Sequence, residues 1–152
     1  MSLASSSISI SWSEIEQDTE HLADLVRAKG NWTGLVAVSR GGLVPASIVA
    51  NLLGLQNVEM LSVASYVGQE RCEPRIIRMP SVPDEGEGWL IVDDLVDSGH
   101  TMKLARELFP KAHIAVLYAK PKGRELAHTF VREFPQTCWL NFPWEKTFSP
   151  VR

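Results

Sequence analysis

The chain has few of the residues that would tie it to an oxidising compartment, a membrane or nucleic acid. Its 152 residues include two cysteines, Cys72 and Cys138, far apart and in no C-x-x-C pattern. They read as reduced thiols of a cytosolic protein and supply no metal site. No apolar run reaches the length that spans a bilayer. The net charge is −3 and no long basic run occurs, which argues against nucleic acid as a partner. Met1 to Ser11 is Ser-rich, without a basic start or an apolar core, and does not read as a signal peptide. Neither G-x-G-x-x-G nor G-x-x-x-x-G-K-[ST] is present, which removes two nucleotide-binding fingerprints. There is no internal repeat and no linker.

What is present suits one core. Apolar residues make up 45%, and the length favours a single domain. Ser13 and Glu16 fit a capping box, with Ile15, Leu22, Leu25 and Val26 at helical spacing and Gly30 as the end. Gly34 to Val38 is a continuous apolar run, the pattern of a strand covered on both faces. Ser39-Arg40-Gly41-Gly42 breaks it. Pro45 suits the first turn of a helix that Ala46 to Leu53 carry to Gly54. Val58 to Ala64 reads as a strand. Residues 66–88 are interrupted by Gly68, Pro74, Pro80, Pro83, Gly86 and Gly88, with one short strand, Arg75 to Met79, inside. So long an irregular connection reads as a mobile flap. Trp89 to Val92 is a predicted strand, Thr101 to Phe109 a helix and Ile114 to Tyr118 a strand, followed by the polar turn Lys120 to Arg124. The tail, Thr129 to Arg152, is rich in Trp, Phe and Pro and has no helical period. His21, His113 and His128 have no partner spacing and read as structural or surface residues.

Alternating strands and helices predict an α/β fold, a mostly parallel sheet with helices on both faces. Ligands of such sheets sit at the carboxyl ends of the strands. The polar clusters at Ser39, Asp93 and Lys120 each follow a predicted strand, so they converge on one site.

The richest segment is Trp89 to Met102. An apolar strand runs into Asp93 and Asp94, then Asp97, then Ser98-Gly99-His100-Thr101 at a helix start. Small and hydroxylated residues there leave backbone N–H groups pointing outward, which makes an anion site. Such a nest binds phosphate without a lysine. The acids before it cannot hold a phosphate, but they can hold a metal ion or sugar hydroxyls. Asp93 and Asp94 are adjacent, so on a strand end they point to opposite sides. The combination suggests a phosphorylated sugar. A solvated acidic turn would leave unexplained why the acids abut an apolar strand. In Ser39-Arg40-Gly41-Gly42, Arg40 offers a fork of donors for phosphate oxygens and the glycines allow close approach. Taken alone, that loop reads equally well as a plain strand-to-helix turn.

Val92 to Thr101 resembles the 5-phosphoribosyl-1-pyrophosphate (PRPP) signature of the type I phosphoribosyltransferase family. With Val38 to Pro45, Tyr118 to Pro121 and Cys138 to Trp144, the chain is similar to the bacterial xanthine-guanine branch of that family. The resemblance implies a single type I phosphoribosyltransferase domain over residues 1–152, with a flap at about 66–88 and a base-binding hood at about 129–152. It implies a Mg²⁺-dependent glycosyltransferase of purine salvage. Such an enzyme joins a ring nitrogen of guanine or xanthine, and of hypoxanthine, to C1 of PRPP, giving GMP, XMP or IMP and pyrophosphate.

By resemblance, Asp97, Ser98, Gly99, His100 and Thr101 grip the 5′-phosphate. Asp93 and Asp94 serve the ribose and the metal, with Asp94 the metal ligand. Ser39, Arg40, Gly41 and Gly42 take the pyrophosphate, and a cis peptide is expected in that loop. Asp97 lies near the purine N7, as general base or as electrostatic stabiliser. Lys120 donates to the 6-oxo group, Trp139 stacks on the purine, and Leu140 and Asn141 address its 2-position. Ser65 and Tyr66 open the flap. His100 and Asn141 depart from the family pattern, which has Gly or Lys at the first position and an acidic residue at the second. A homotetramer in the cytoplasm, peripheral at the inner membrane face, is also implied. The alternative is a regulator that keeps the fold and senses PRPP without turnover. Lys120 and Trp139 argue against it, because a sensor has no need of a purine-reading pocket.

Overall fold

The computed structural model describes residues 6–65 and 73–145. In chain order the elements are β1 (Ser7–Ser9), α1 (Trp12–Arg27), β2 (Gly34–Ser39), α2 (Leu43–Leu53), β3 (Val58–Ser65), β4 (Pro74–Arg78), β5 (Trp89–Val96), α3 (His100–Leu108), β6 (His113–Ala119), β7 (Thr129–Glu133) and β8 (Trp139–Asn141). The main sheet runs β4-β3-β2-β5-β6-β7. Its neighbours pair parallel except β4, which lies antiparallel on β3. Strands β1 and β8 form a separate parallel pair. The predicted α/β architecture is therefore the observed one.

The central strands are buried because both of their faces are covered. In β2, Leu35 and Ala37 face α1 and α2, packing with Ile15, Leu22 and Val26 from the first helix and Ala46 and Val49 from the second. Val36 and Val38 point the other way, to Met102 and Ala105 of α3 and to Ile91 and Ile114. Each fully buried side chain of this kind stabilises the fold by roughly 1.5–3 kcal/mol. A polar knot ties α1 to the far half of the sheet. The buried Tyr118 donates its hydroxyl to Asp18 at 2.6 Å, and Arg132 reaches the same carboxylate at 3.4 Å while lying over the Phe134 ring. Phe142 stacks between Tyr118 and Trp144, which carries the aromatic packing out to the mouth of the sheet.

Most element boundaries move by a residue or two from the sequence expectation, and those of α1, β5 and α3 bear on the site. The capping box is Ser11 with Glu14, not Ser13 with Glu16, so α1 begins at Trp12 and ends at Arg27, before Gly30. Ile10 donates to the Asn141 carbonyl at 2.9 Å, and that long-range bond sets where the extended chain stops and the helix begins. Strand β5 does not stop at Val92. Pairing with β6 carries it through both acids to Val96. Helix α3 starts at His100 and stops at Leu108. Beyond β4, residues 84–86 form a 3-10 turn whose Gly86 packs against Ala112 and Phe109. Tyr66 and Cys72 lie outside the described residues. His113 and His128 stack with centroids 5.0 Å apart at the amino end of β6, away from the polar clusters. Burial, then the neighbouring His128 and Lys29, press the His113 pKa down to about 4.

Candidate active site

The carboxyl end of β5 places two acids where water is scarce. Asp93 is 8% exposed, and its Oδ1 accepts the Asp94 backbone N–H at 2.8 Å. Burial and then the Asp94 charge push the Asp93 carboxyl well above the usual carboxylate range. Burial also raises Asp94, to about 6, and the charge of Glu145 adds to the rise. Two acids that resist ionising beside each other form a place where a cation would be welcome. Among the described residues no three His, Cys, Asp or Glu side chains form a metal cluster. The paired oxygen donors of Asp93 and Asp94 are the kind Mg²⁺ takes, since that ion uses one or two carboxylates and fills the rest with water and substrate oxygens.

Two clefts meet at Asp93. The larger, about 670 Å³, is lined by Ser39, Arg40, Gly41, Asp93, Asp94 and Thr101, together with Trp144 and Glu145. The smaller, about 120 Å³, is formed by Asp93 and residues 95–102. Asp93 faces both, whereas Asp94 lies against Gly41. A Cβ on Gly41 would strike the Asp94 carboxylate, and one on Gly42 would sit 2.5 Å from the Val92 carbonyl oxygen. These glycines let the loop after β2 press onto the acid-bearing strand. The Ser39–Arg40 peptide bond is cis.

The small cleft is the predicted anion turn. Gly99 has φ +93° and stands before the first residue of α3, and no side chain caps the helix there. The first-turn N–H groups of α3 are thus left for a ligand. Ser98 Oγ and His100 Nδ1 lie 3.1 Å apart, so the imidazole folds back along the turn.

Asp97 closes the arrangement. Lys120, at the end of β6, has a side chain only 4% exposed, and its Nζ meets Asp97 Oδ2 at 3.2 Å. Gln136 Nε2 donates to the other oxygen, Oδ1, at 2.6 Å. The main-chain bond from Lys120 N to the Val96 carbonyl holds the two loops together. The remaining predicted base contacts stand apart from both clefts. Trp139 is 63% exposed, Leu140 is buried, and Asn141 donates from Nδ2 to Ser7 Oγ at 2.7 Å. Ser65 is the last residue of β3.

Three participants escape sequence reasoning. Trp144 and Glu145 line the large cleft, and Gln136 grips Asp97. A lone Gln between Pro135 and Thr137 carries no pattern, and Glu145 lies far from the other acids along the chain.

The model of the phosphoribosyl transferase domain matches residues 11–145. The xanthine-guanine phosphoribosyltransferase of Nitratidesulfovibrio vulgaris (strain DP4) is 43% identical over 142 residues, 93% of this chain and 86% of that protein. A purine phosphoribosyltransferase from Pyrococcus horikoshii Ot3 superposes with a TM-score of 0.80 at 26% identity, covering 96% of this chain and 98% of the other. The Helicobacter pylori xanthine-guanine-hypoxanthine phosphoribosyltransferase gives 0.79 at 25% identity, covering 91% and 94%. No helix among the described residues is long and apolar enough to cross a membrane.

Proposed function

The chain belongs to the phosphoribosyl transferase family, and on that premise we propose that it moves the 5-phosphoribosyl group of PRPP onto a ring nitrogen of guanine, xanthine or hypoxanthine, releasing pyrophosphate. The observation that carries the reading is the meeting of the acid pair, the uncapped turn at Gly99 and the Arg40 loop around one pair of clefts, with Lys120 and Asp97 joined beside them.

The reaction makes three demands. The 5′-phosphate must be held, the departing pyrophosphate must be neutralised, and the base must be oriented while the sugar carbon passes through an oxocarbenium-like state. The backbone N–H groups of Ser98 to Thr101 meet the first demand. Ser39, Arg40, Gly41 and Gly42 bring a guanidinium and bare backbone to the second. Asp94, with Asp93 behind it, is the side chain that would hold Mg²⁺. When bound, the ion supplies positive charge to the leaving group. Asp93 stays turned to the ribose hydroxyls.

For the third demand, the buried Lys120 ammonium carries donors beyond the one it gives to Asp97. A 6-oxo group satisfies it and a 6-amino group repels it, which selects 6-oxopurines over adenine. Asp97 stands where it can take a ring proton or balance positive charge on the base and sugar. Trp139, exposed and at the hood, offers a face for the purine, and Leu140 and Asn141 address its 2-position. Asn141 can both donate and accept, which suits the 2-oxo group of xanthine and the 2-amino group of guanine alike. Ser65 and Tyr66 introduce the segment we assign as the flap over PRPP, and exclusion of water protects a cation-like state.

We also take the working form to be a homotetramer in the cytoplasm or against the inner membrane face. Exposed Leu52, Val58, Met60, Ile77 and Met79 provide apolar surface for such an assembly. The deciding experiment incubates the protein with PRPP, Mg²⁺ and each of guanine, xanthine, hypoxanthine and adenine, with nucleotide products resolved by chromatography. Formation of GMP and XMP is expected. Turnover of adenine alone would overturn the base assignment, and PRPP binding without any product would favour a sensor.

A further inference from the structure

Gln136 belongs to none of the motifs and lines neither cleft, yet its amide is wedged between two functional loops. Nε2 donates to Asp97 Oδ1 at 2.6 Å, and Oε1 accepts the Lys122 backbone N–H at 2.9 Å. The second contact fixes which end of the amide faces the acid, because only an oxygen can accept from Lys122. Asp97 Oδ2, in turn, is held by Lys120 Nζ. The acid's two oxygens therefore have different guardians. One is a cation that the incoming base has to claim. The other is a neutral amide tied to the turn that carries that cation.

This asymmetry matters when the base arrives. If the 6-oxo group takes Lys120 Nζ, Oδ2 loses its partner while Oδ1 keeps Gln136. The Asp97 side chain is 48% exposed, so packing alone does not hold it. We propose that Gln136 is a positioning residue, which keeps Asp97 in its reactive orientation while Lys120 is handed over to the purine. The inference rests on the reading of Asp97 and Lys120 given above. A displacement of about 1 Å at such a group costs on the order of 10²-fold in rate, so a single well-placed amide is significant.

Two substitutions separate positioning from scaffolding. Gln136→Glu keeps an oxygen for the Lys122 N–H, but at pH 8, where a glutamate is ionised, it cannot donate to Asp97. Gln136→Met keeps the length and loses both bonds. Both sit on a partly exposed loop, and melting temperatures report whether each variant is folded. With PRPP and guanine as substrates, both should lower kcat by about tenfold or more, with Gln136→Glu at least as impaired as Gln136→Met and the KM for PRPP within about twofold of the parent. A tether for the Lys122 turn predicts the reverse order, with Gln136→Glu near the parent and Gln136→Met impaired. That result would overturn the inference. Combined with Asp97→Asn, Gln136→Glu should add less than about twofold further loss, because it acts through that acid. Multiplicative losses would refute it. Full kcat in Asp97→Asn alone would remove the role assigned to Asp97 and this inference together, leaving the transfer reaction itself standing. A crippled Asp97→Asn beside an unaffected Gln136→Glu would remove only the inference.

Discussion

Gly41→Ala should leave a folded protein that has lost most of its activity. Gly41 has no positive φ, so the backbone accepts alanine and the effect is purely one of space. The new Cβ would lie 2.6 Å from Asp94 Cγ and 2.7 Å from Oδ1, where ordinary contact begins near 3.4 Å. Its Oδ2 comes closer still, so the carboxylate has to retreat by about 1 Å. It is the end of a short side chain and can turn away at a cost of about 1 kcal/mol, which lowers Tm by roughly 2–4 °C in a chain of this size. A displacement of that size at the acid assigned to the metal and ribose should lower kcat/KM for PRPP by about 10²-fold. The next glycine provides the contrast. A Cβ on Gly42 meets the Val92 and Val38 carbonyl oxygens at 2.5 and 2.6 Å, and backbone cannot turn away. Gly42→Ala should cost about 3 kcal/mol or more and fail by unfolding. Steady-state kinetics beside scanning calorimetry distinguish the two. Parent-like kcat/KM in a folded Gly41→Ala would refute the claim that the Asp94 position governs activity.

Three further outcomes are expected. Gly99→Ala combines a φ of +93° with a Cβ placed 2.5 Å from Leu126 Cδ1, and it should raise the KM for PRPP at least about tenfold; an unchanged KM would detach the turn from the phosphate. Lys120→Ala should depress guanine and xanthine turnover far more than PRPP affinity measured by calorimetry, and equal losses would end its role as base reader. The third concerns pH. Asp94, raised to about 6 by burial, binds a proton in the fold that the unfolded chain has already released above its ordinary value of 3.8. Its contribution is therefore complete below pH 4 and lost as pH rises through about 6. His113, depressed to about 4, acts in the opposite sense, so the readout is the difference between parent and Asp94→Asn. In metal-free buffer the parent's Tm should fall relative to the variant's between pH 4.5 and 7.5, and parallel curves would refute the assignment.

How much was legible follows from where the information lies. Strands β2, β5 and β6 announce themselves because a strand covered on both faces has to be apolar throughout, and the polar clusters following them mark the ligand edge. The continuation of β5 through Asp93 and Asp94 was hidden, since aspartate is depleted in strands. Only the register with Val116 and Tyr118 reveals it. The start of α1 was misplaced at Ser13 because Ser11-x-x-Glu14 satisfies the same rule as Ser13-x-x-Glu16, and the bond from Ile10 to Asn141 that favours the earlier cap is long-range. Gln136 and Glu145 reach the site through the path of the chain after β7, which local pattern does not encode.

The pairing of β1 with β8 sets Ser7 opposite Trp139 and Ser9 opposite Asn141, joining residues more than a hundred positions apart. This clasp lies outside the six-stranded sheet that carries the sugar-phosphate loops, so the two can be disturbed independently. On the proposed assignment, reading of the purine 2-position leans on that clasp, whereas the choice against adenine, given to Lys120, leans on the main sheet.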